Sequence, residues 1–182
     1  VLEKSFLVDG CFNTARLIEA EGRLVFMVSY NFYHGDEETY IPKVSFDGGE
    51  HSHIKAEDIY YYDDIATFSY LIVGEVSLDE PENSDVNAYL GVSGEIYVSD
   101  KNIFVATYDA NSEYKRNLFG WVKDGATPTT RIIRMSLSDS TDRSCARVDG
   151  RVKDRYSLDE YQGYLRVATT TMGSGIQNNI FV

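Results

Sequence analysis

One pattern recurs three times along this 182-residue chain and limits what it can fold into. Residues 16–30 (RLIEAEGRLVFMVSY), 95–108 (EIYVSDKNIFVATY) and 156–171 (YSLDEYQGYLRVATTT) each read as a strand, a short polar turn and a second strand. The turns carry hairpin chemistry: Glu21-Gly22, Asp100-Lys101-Asn102 and Gln162-Gly163. Alternation is weak in the second strands. Leu24, Phe26 and Val28 are apolar on one face, as are Val25 and Met27 on the other. A strand apolar on both sides must be covered on both sides.

A repeated unit that buries its faces only against its neighbours is the mark of a repeat architecture. The expected fold is therefore all-β, a β-propeller, represented by a fragment of roughly three blades over residues 1–182. Aligning the hairpins on their second strands puts Leu24, Ile103 and Tyr164 in register. The spacing exceeds the roughly 40–50 residues of an ordinary blade, so each repeat carries a long inter-strand insertion. The first runs from residue 31 to about 64, and the second from 109 to 128 with the only tryptophan, Trp121. Each insertion leads into another strand, 68–78 and 129–137, and residues 178–182 take the same place in the third repeat. The order is hairpin, long loop, strand.

Composition narrows the function classes. With 17 Lys+Arg against 29 Asp+Glu the formal net charge is −12. Phosphate backbones are bound by clustered cations that release counterions, so a nucleic-acid partner is not expected. The basic residues between Arg151 and Arg155 are interrupted by apolar and acidic neighbours. No apolar run approaches the roughly 20 residues of a membrane-spanning helix. The 14 Tyr and 9 Phe suit half-buried pleated surfaces. Cys11 and Cys145 are too few to imply a disulfide framework, and buried free thiols are expected in preference to a bridge.

In combination, SLDEYQGYLRVATTT followed by NNIFV, preceded by TTRIIRMSL and SGEIYVSDKNIFVATY, resembles a known family. It is that of bacterial and archaeal secreted proteins with a C-terminal β-propeller domain, distantly related to WD40-type repeats. YIPKVSF, IKAEDIYYYDD and SYLIVGEVSLD match that family in order and spacing. The resemblance implies export, with the protein free or attached to the cell envelope. It brings no catalytic residue set with it.

Candidate chemistry is sparse. All three histidines, His34, His51 and His53, lie in the first insertion. An extended His51-Ser52-His53 would point both imidazoles to one face, the minimum for a loop-bound zinc or copper. Acidic turns at 79–85, 138–142 and 63–64 offer hard oxygens for a structural calcium, yet match no calcium-binding loop motif. Without one of these ions, no cofactor is expected. Asp159 and Glu160 form a carboxylate pair whose use in glycoside cleavage depends on their separation. No nucleophile-elbow or phosphate-loop motif is present.

Aromatic residues in the insertions, Tyr60, Tyr62 and Trp121 above all, are candidates for stacking on a ligand. The expectation is a non-catalytic extracytoplasmic binding or scaffold module for a protein, peptide or glycan. The alternative is an envelope-associated hydrolase using acidic or loop-borne metal residues. Self-association through open blade edges is a further expectation.

Overall fold

The computed structural model describes residues 4–33, 35–62, 67–81, 83–109, 114–117, 120–123, 128–139, 141–172 and 175–182. At residues 114–117 and 120–123 it describes the backbone alone. The described residues are β-strands joined by turns and short 3₁₀ segments, with no α-helix among them. The chain divides into two compact units, Val1–Ser93 and Gly94–Val182.

In the first unit the strands are β1 (Phe6–Val8), β2 (Cys11–Ile18), β3 (Arg23–Asn31), β4 (Lys43–Phe46), β5 (Ser52–His53), β6 (Ile59–Tyr61), β7 (Ser69–Ser77) and β8 (Asp85–Leu90). A five-stranded sheet runs in the order β2-β3-β7-β8-β6. Its first four strands form an antiparallel meander, and β6 adds in parallel to β8. The first insertion is not a loose loop. Its segment KVSF alternates, and as β4 it pairs with β1 on one side and β5 on the other. This small sheet lies over the larger one. Val8, Ile41, Val44 and Ile54 close on Val28, Ile72, Val86 and Ala88. Val28, Ile72 and Ala88 stand directly opposite one another across β3, β7 and β8, so each ladder step adds to one apolar row.

The second unit contains β9 (Glu95–Val98), β10 (Asn102–Asp109), β11 (Tyr114–Asn117), β12 (Gly120–Lys123), β13 (Thr129–Ser136), β14 (Arg143–Asp149), β15 (Leu158–Tyr161), β16 (Tyr164–Met172) and β17 (Ile176–Phe181). Strands β9, β10, β13 and β14 repeat the four-stranded meander, while β15, β16 and β17 form a three-stranded one. The second insertion holds the hairpin β11-β12 where a loop was expected. The strands β8 and β14 are also additions to the expected order. DVNAYL and RSCARVD are short and polar enough to read as turn sequence, but each fills the fourth place in its sheet.

The two sheets of this unit pack face to face. Phe104, Ala106 and Ile132 of one meet Leu158 and Val167 of the other, with Val152 between and Tyr97, Leu165 and Phe181 at the margin. The register also corrects the expected alignment. Val105 pairs with Ile96, and Val167 holds the matching place opposite Leu158. The counterpart of Ile103 is therefore Leu165, not Tyr164.

A polar bridge spans the same interface. Asn102 Nδ2 donates to both Glu160 oxygens, at 3.0 and 3.1 Å, and Ser99 Oγ donates to Oε2 at 2.5 Å. Arg134 in turn donates to Asn102 Oδ1 at 3.0 Å and forks onto Asp142. The acceptors on Glu160 and Asn102 are part-buried beside the apolar contact, where an unmet lone pair would be costly.

Both cysteines are free and exposed, contrary to the expected burial. Their strands, β2 and β14, occupy sheet edges, where a small apolar residue has one neighbouring strand instead of two.

One half-buried acid gives a pH dependence. Glu75 on β7 is paired with Arg23 and lies opposite Asp85. Burial pushes its carboxyl above the ordinary 4.5, Asp85 adds to the rise, and the attraction of Arg23 does not fully offset them. A proton is thus held more tightly in the folded chain than in the unfolded one. The associated stability is complete below the ordinary value and is lost as pH rises through the folded value. In urea titrations from pH 7 toward 4.5, the wild type is expected to gain stability relative to Glu75→Gln. A gap that moves the other way would show that Arg23 dominates.

Candidate functional site

A cleft of about 440 Å³ opens in the second unit, lined by Tyr108, Pro128, Arg151, Lys153, Thr170 and Met172. Four separate segments build it. Tyr108 stands near the end of β10 and Pro128 just ahead of β13, so these two mark where the second insertion leaves and re-enters the sheet. Thr170 and Met172 lie on β16, and the two cations come from the connection between β14 and β15.

That connection is extended and alternates: Arg151 and Lys153 are exposed while Val152 between them is buried in the inter-sheet core. Period two therefore sends both cations to the same side, with α-carbons roughly 7 Å apart. Backbone bonds hold the segment firmly. Arg151 and Thr170 exchange N–H···O bonds of 2.9 Å in both directions, and the Gly150 N–H donates to the Pro128 carbonyl at 2.6 Å. Thr130 Oγ1 donates to the Gly150 carbonyl and Thr169 Oγ1 to that of Asp149, each at 2.6 Å. Gly150 itself has φ +89°, and a Cβ there would fall 2.8 Å from the Thr170 oxygen, so only glycine suits the crossing.

Among the described residues the lining has two cations and no carboxylate, in a chain of net charge −12. Arg151 lays its guanidinium over the Tyr108 ring, 5.3 Å from the centroid. This contact places the guanidinium at the ring, and its fork of N–H donors suits an oxyanion. Met172, 74% exposed, adds an adaptable apolar wall. Such an arrangement can bind a negatively charged group and orient it; among the described lining residues there is no nucleophile with an adjacent base.

The residues singled out from sequence are distributed elsewhere. Trp121 stands on β12 opposite Arg116, with its side chain outside the described residues. Tyr60 on β6 stacks on the buried Tyr89, with centroids 5.4 Å apart and planes at 23°. Tyr60 is half-buried, and so is Tyr62. The intervening Tyr61 projects outward, 68% exposed, because period two alternates the three rings.

His34 lies outside the described residues. His51 Nε2 is 3.2 Å from Asp9 Oδ1. His53 Nδ1 is 2.8 Å from the Ile41 carbonyl, which can only accept, so Nδ1 carries the proton. Among the described residues no group of three or more His, Cys, Asp or Glu is arranged to hold a metal ion. In the 138–142 turn Asp139 Oδ1 accepts from the Thr141 amide and hydroxyl, which hold its carboxyl below the ordinary value, while Asp142 pairs with Arg134 of β13. Residues 63–64 lie outside the described residues. Asp159 and Glu160 are neighbours in strand β15 and not in a turn, so they face opposite sides. Asp159 pairs with Arg166, and Glu160 with Asn102 and Ser99. They do not form a catalytic pair.

Sequence reading passed over the cleft. Arg151 and Lys153 were visible as basic residues broken by Val152, and that break was the signal, since an apolar residue between two cations in an extended segment puts both cations on one face.

Three meanders with this strand order, stacked face to face where two share a unit, are the blades expected of a propeller. The Beta propeller domain family matches residues 1–182. The chain belongs to that family. No curated protein and no solved structure matches it. In propeller terms, the cleft lies where β10 and β16, the second strands of two successive blades, come to their ends. The first and second insertions both interrupt a blade between its second and third strands. Among the described residues, no helix is long and apolar enough to cross a membrane.

Proposed function

We propose that this propeller domain is a non-catalytic binding and scaffold module that acts outside the cytoplasm and takes a protein, peptide or glycan ligand on the loop face around the cleft. The observation that carries the reading is the position of the cleft. Its walls Tyr108 and Pro128 are the two feet of the 110–127 insertion, and its floor is locked to both neighbouring blades by backbone bonds. Loops raised on a rigid scaffold are the common place for recognition. Propellers commonly serve protein binding, and the extracytoplasmic setting rests on the family resemblance set out above. Trp121 on the β11-β12 hairpin is assigned to the same recognition face; Tyr60 and Tyr62 belong to a second aromatic group on the first insertion.

The test replaces residues 110–127 by Gly-Asn-Gly. With Pro128 this closes the Asp109–Thr129 pair as a four-residue hairpin loop, a length that native hairpins use. The variant is expected to melt within a few degrees of the wild type and to lose at least about tenfold in binding to whatever the wild type retains on peptide and glycan arrays. Undiminished binding would remove the insertion from the recognition face. Fractionation of source cells reads the location, and a cytosolic protein would overturn that part of the proposal.

A further inference from the structure

Resting on the reading just given, we infer that the cleft recognises an extended acidic peptide whose carboxylates lie two residues apart. The argument is one of matching periods. Arg151 and Lys153 sit at i and i+2 of an extended segment, which places their α-carbons roughly 7 Å apart on one face. An extended peptide with acids at its own i and i+2 presents two negative charges at the same interval. The cations differ in a useful way. The guanidinium, held over the Tyr108 ring, has a fork of N–H donors for one carboxylate, and the ammonium provides a point charge to the other.

Among the described residues no carboxylate lies within ion-pair distance of either cation, although several other cations of the chain are so paired. The residue between the peptide's two acids would point away from the cations, and Met172 and Pro128 give apolar walls for the flanking stems. A glycan is the less suited occupant. Sugars are bound by stacking on an open aromatic face, and the Tyr108 ring carries the Arg151 guanidinium instead. The volume, about 440 Å³, admits a few residues of chain and not a folded surface.

The experiment uses fluorescein-labelled Gly-Ser-Glu-Val-Glu-Ser-Gly and fluorescence anisotropy at about 50 mM salt, where screening is weak. Two further peptides carry the same composition with adjacent acids, and Gln in place of Glu. The wild-type chain is expected to bind the first peptide at least about tenfold more tightly than either control, and the Arg151→Gln/Lys153→Gln variant to lose that preference. Both substituted side chains are exposed, so folding is not at stake; circular dichroism of the variant confirms it.

Equal binding of the adjacent-acid or Gln peptide would overturn the spacing argument, as would undiminished binding by the double variant. An oligogalacturonate that binds the wild type more tightly than the peptide, and is lost in the double variant, would overturn the peptide assignment and leave the cleft as a site for an anionic glycan. If the insertion deletion abolishes array binding while the double variant does not, the cleft assignment falls and the binding module stands.

Discussion

Gly94→Ala is expected to cost about 3 kcal/mol or more of unfolding free energy, measured by urea titration with circular dichroism. Gly94 precedes β9 with φ +147°, a region that side chains of the L series rarely enter. A Cβ built there would lie 2.1 Å from the Ala106 carbonyl oxygen and 2.8 Å from its carbon. Relief by movement of the neighbour is not available. Ala106 is paired to Glu95 on one side and Ile132 on the other, so displacing its carbonyl disturbs both ladders that β10 makes. Ala106 is also part of the apolar row that meets the next blade. Strain at this one atom therefore passes into the inter-blade core. A loss below about 1 kcal/mol would show that β9 enters the sheet by another path.

Phe104→Ala is expected to cost about 3–5 kcal/mol, the range for emptying a large aromatic site in a closed core. The ring is 4% exposed, stacks on Tyr97 with centroids 6.1 Å apart, and faces Leu158 and Val167 of the following blade. Two rigid sheets form the walls, and sheets cannot collapse into a gap as a loop can. Phe104→Leu, which keeps most of the volume, is expected to cost about 1.5 kcal/mol or less. The pair of variants separates burial from fold: a drop in the urea midpoint with an unchanged slope reports lost packing, while a changed slope reports a loosened state. Equal, small losses in both would mean that the blades are not held together through this row.

These two sites concern the same interface from its ends, and the cleft depends on it. Val152 belongs to the inter-blade core, and burying it is what turns Arg151 and Lys153 outward. The Glu160 bridge stands at the hairpin-turn end of the strands and the Gly150 crossing at the insertion end, so polar contacts clamp the apolar row from both sides. A binding site on a repeat scaffold needs that rigidity, since ordering a floppy segment on binding would consume affinity.

The three hairpins were legible in the residues themselves, because turn chemistry and apolar runs are local and the backbone answers to them directly. All-β architecture and the repeat followed from the same signal. The fourth strands did not show. DVNAYL and RSCARVD become strands because β7 and β13 already offer unpaired backbone edges beside them, a force no local propensity records. The same reason turned the YIPKVSF loop into β4, whose Val44 and Phe46 pair with Val8 and Phe6 of β1, far earlier in the chain. Tyr60, singled out as a ligand contact, stacks on Tyr89 while Tyr61 beside it turns outward, since which of three consecutive rings faces outward depends on register, and register is set by the neighbouring strand. The cleft was least visible of all. Its six described residues come from four segments up to 64 positions apart, between Tyr108 and Met172, and only the stacking of one blade on the next brings them to a common wall. Local chemistry thus determined the repeating unit, while long-range pairing and sheet packing decided which side chains each unit leaves for a ligand.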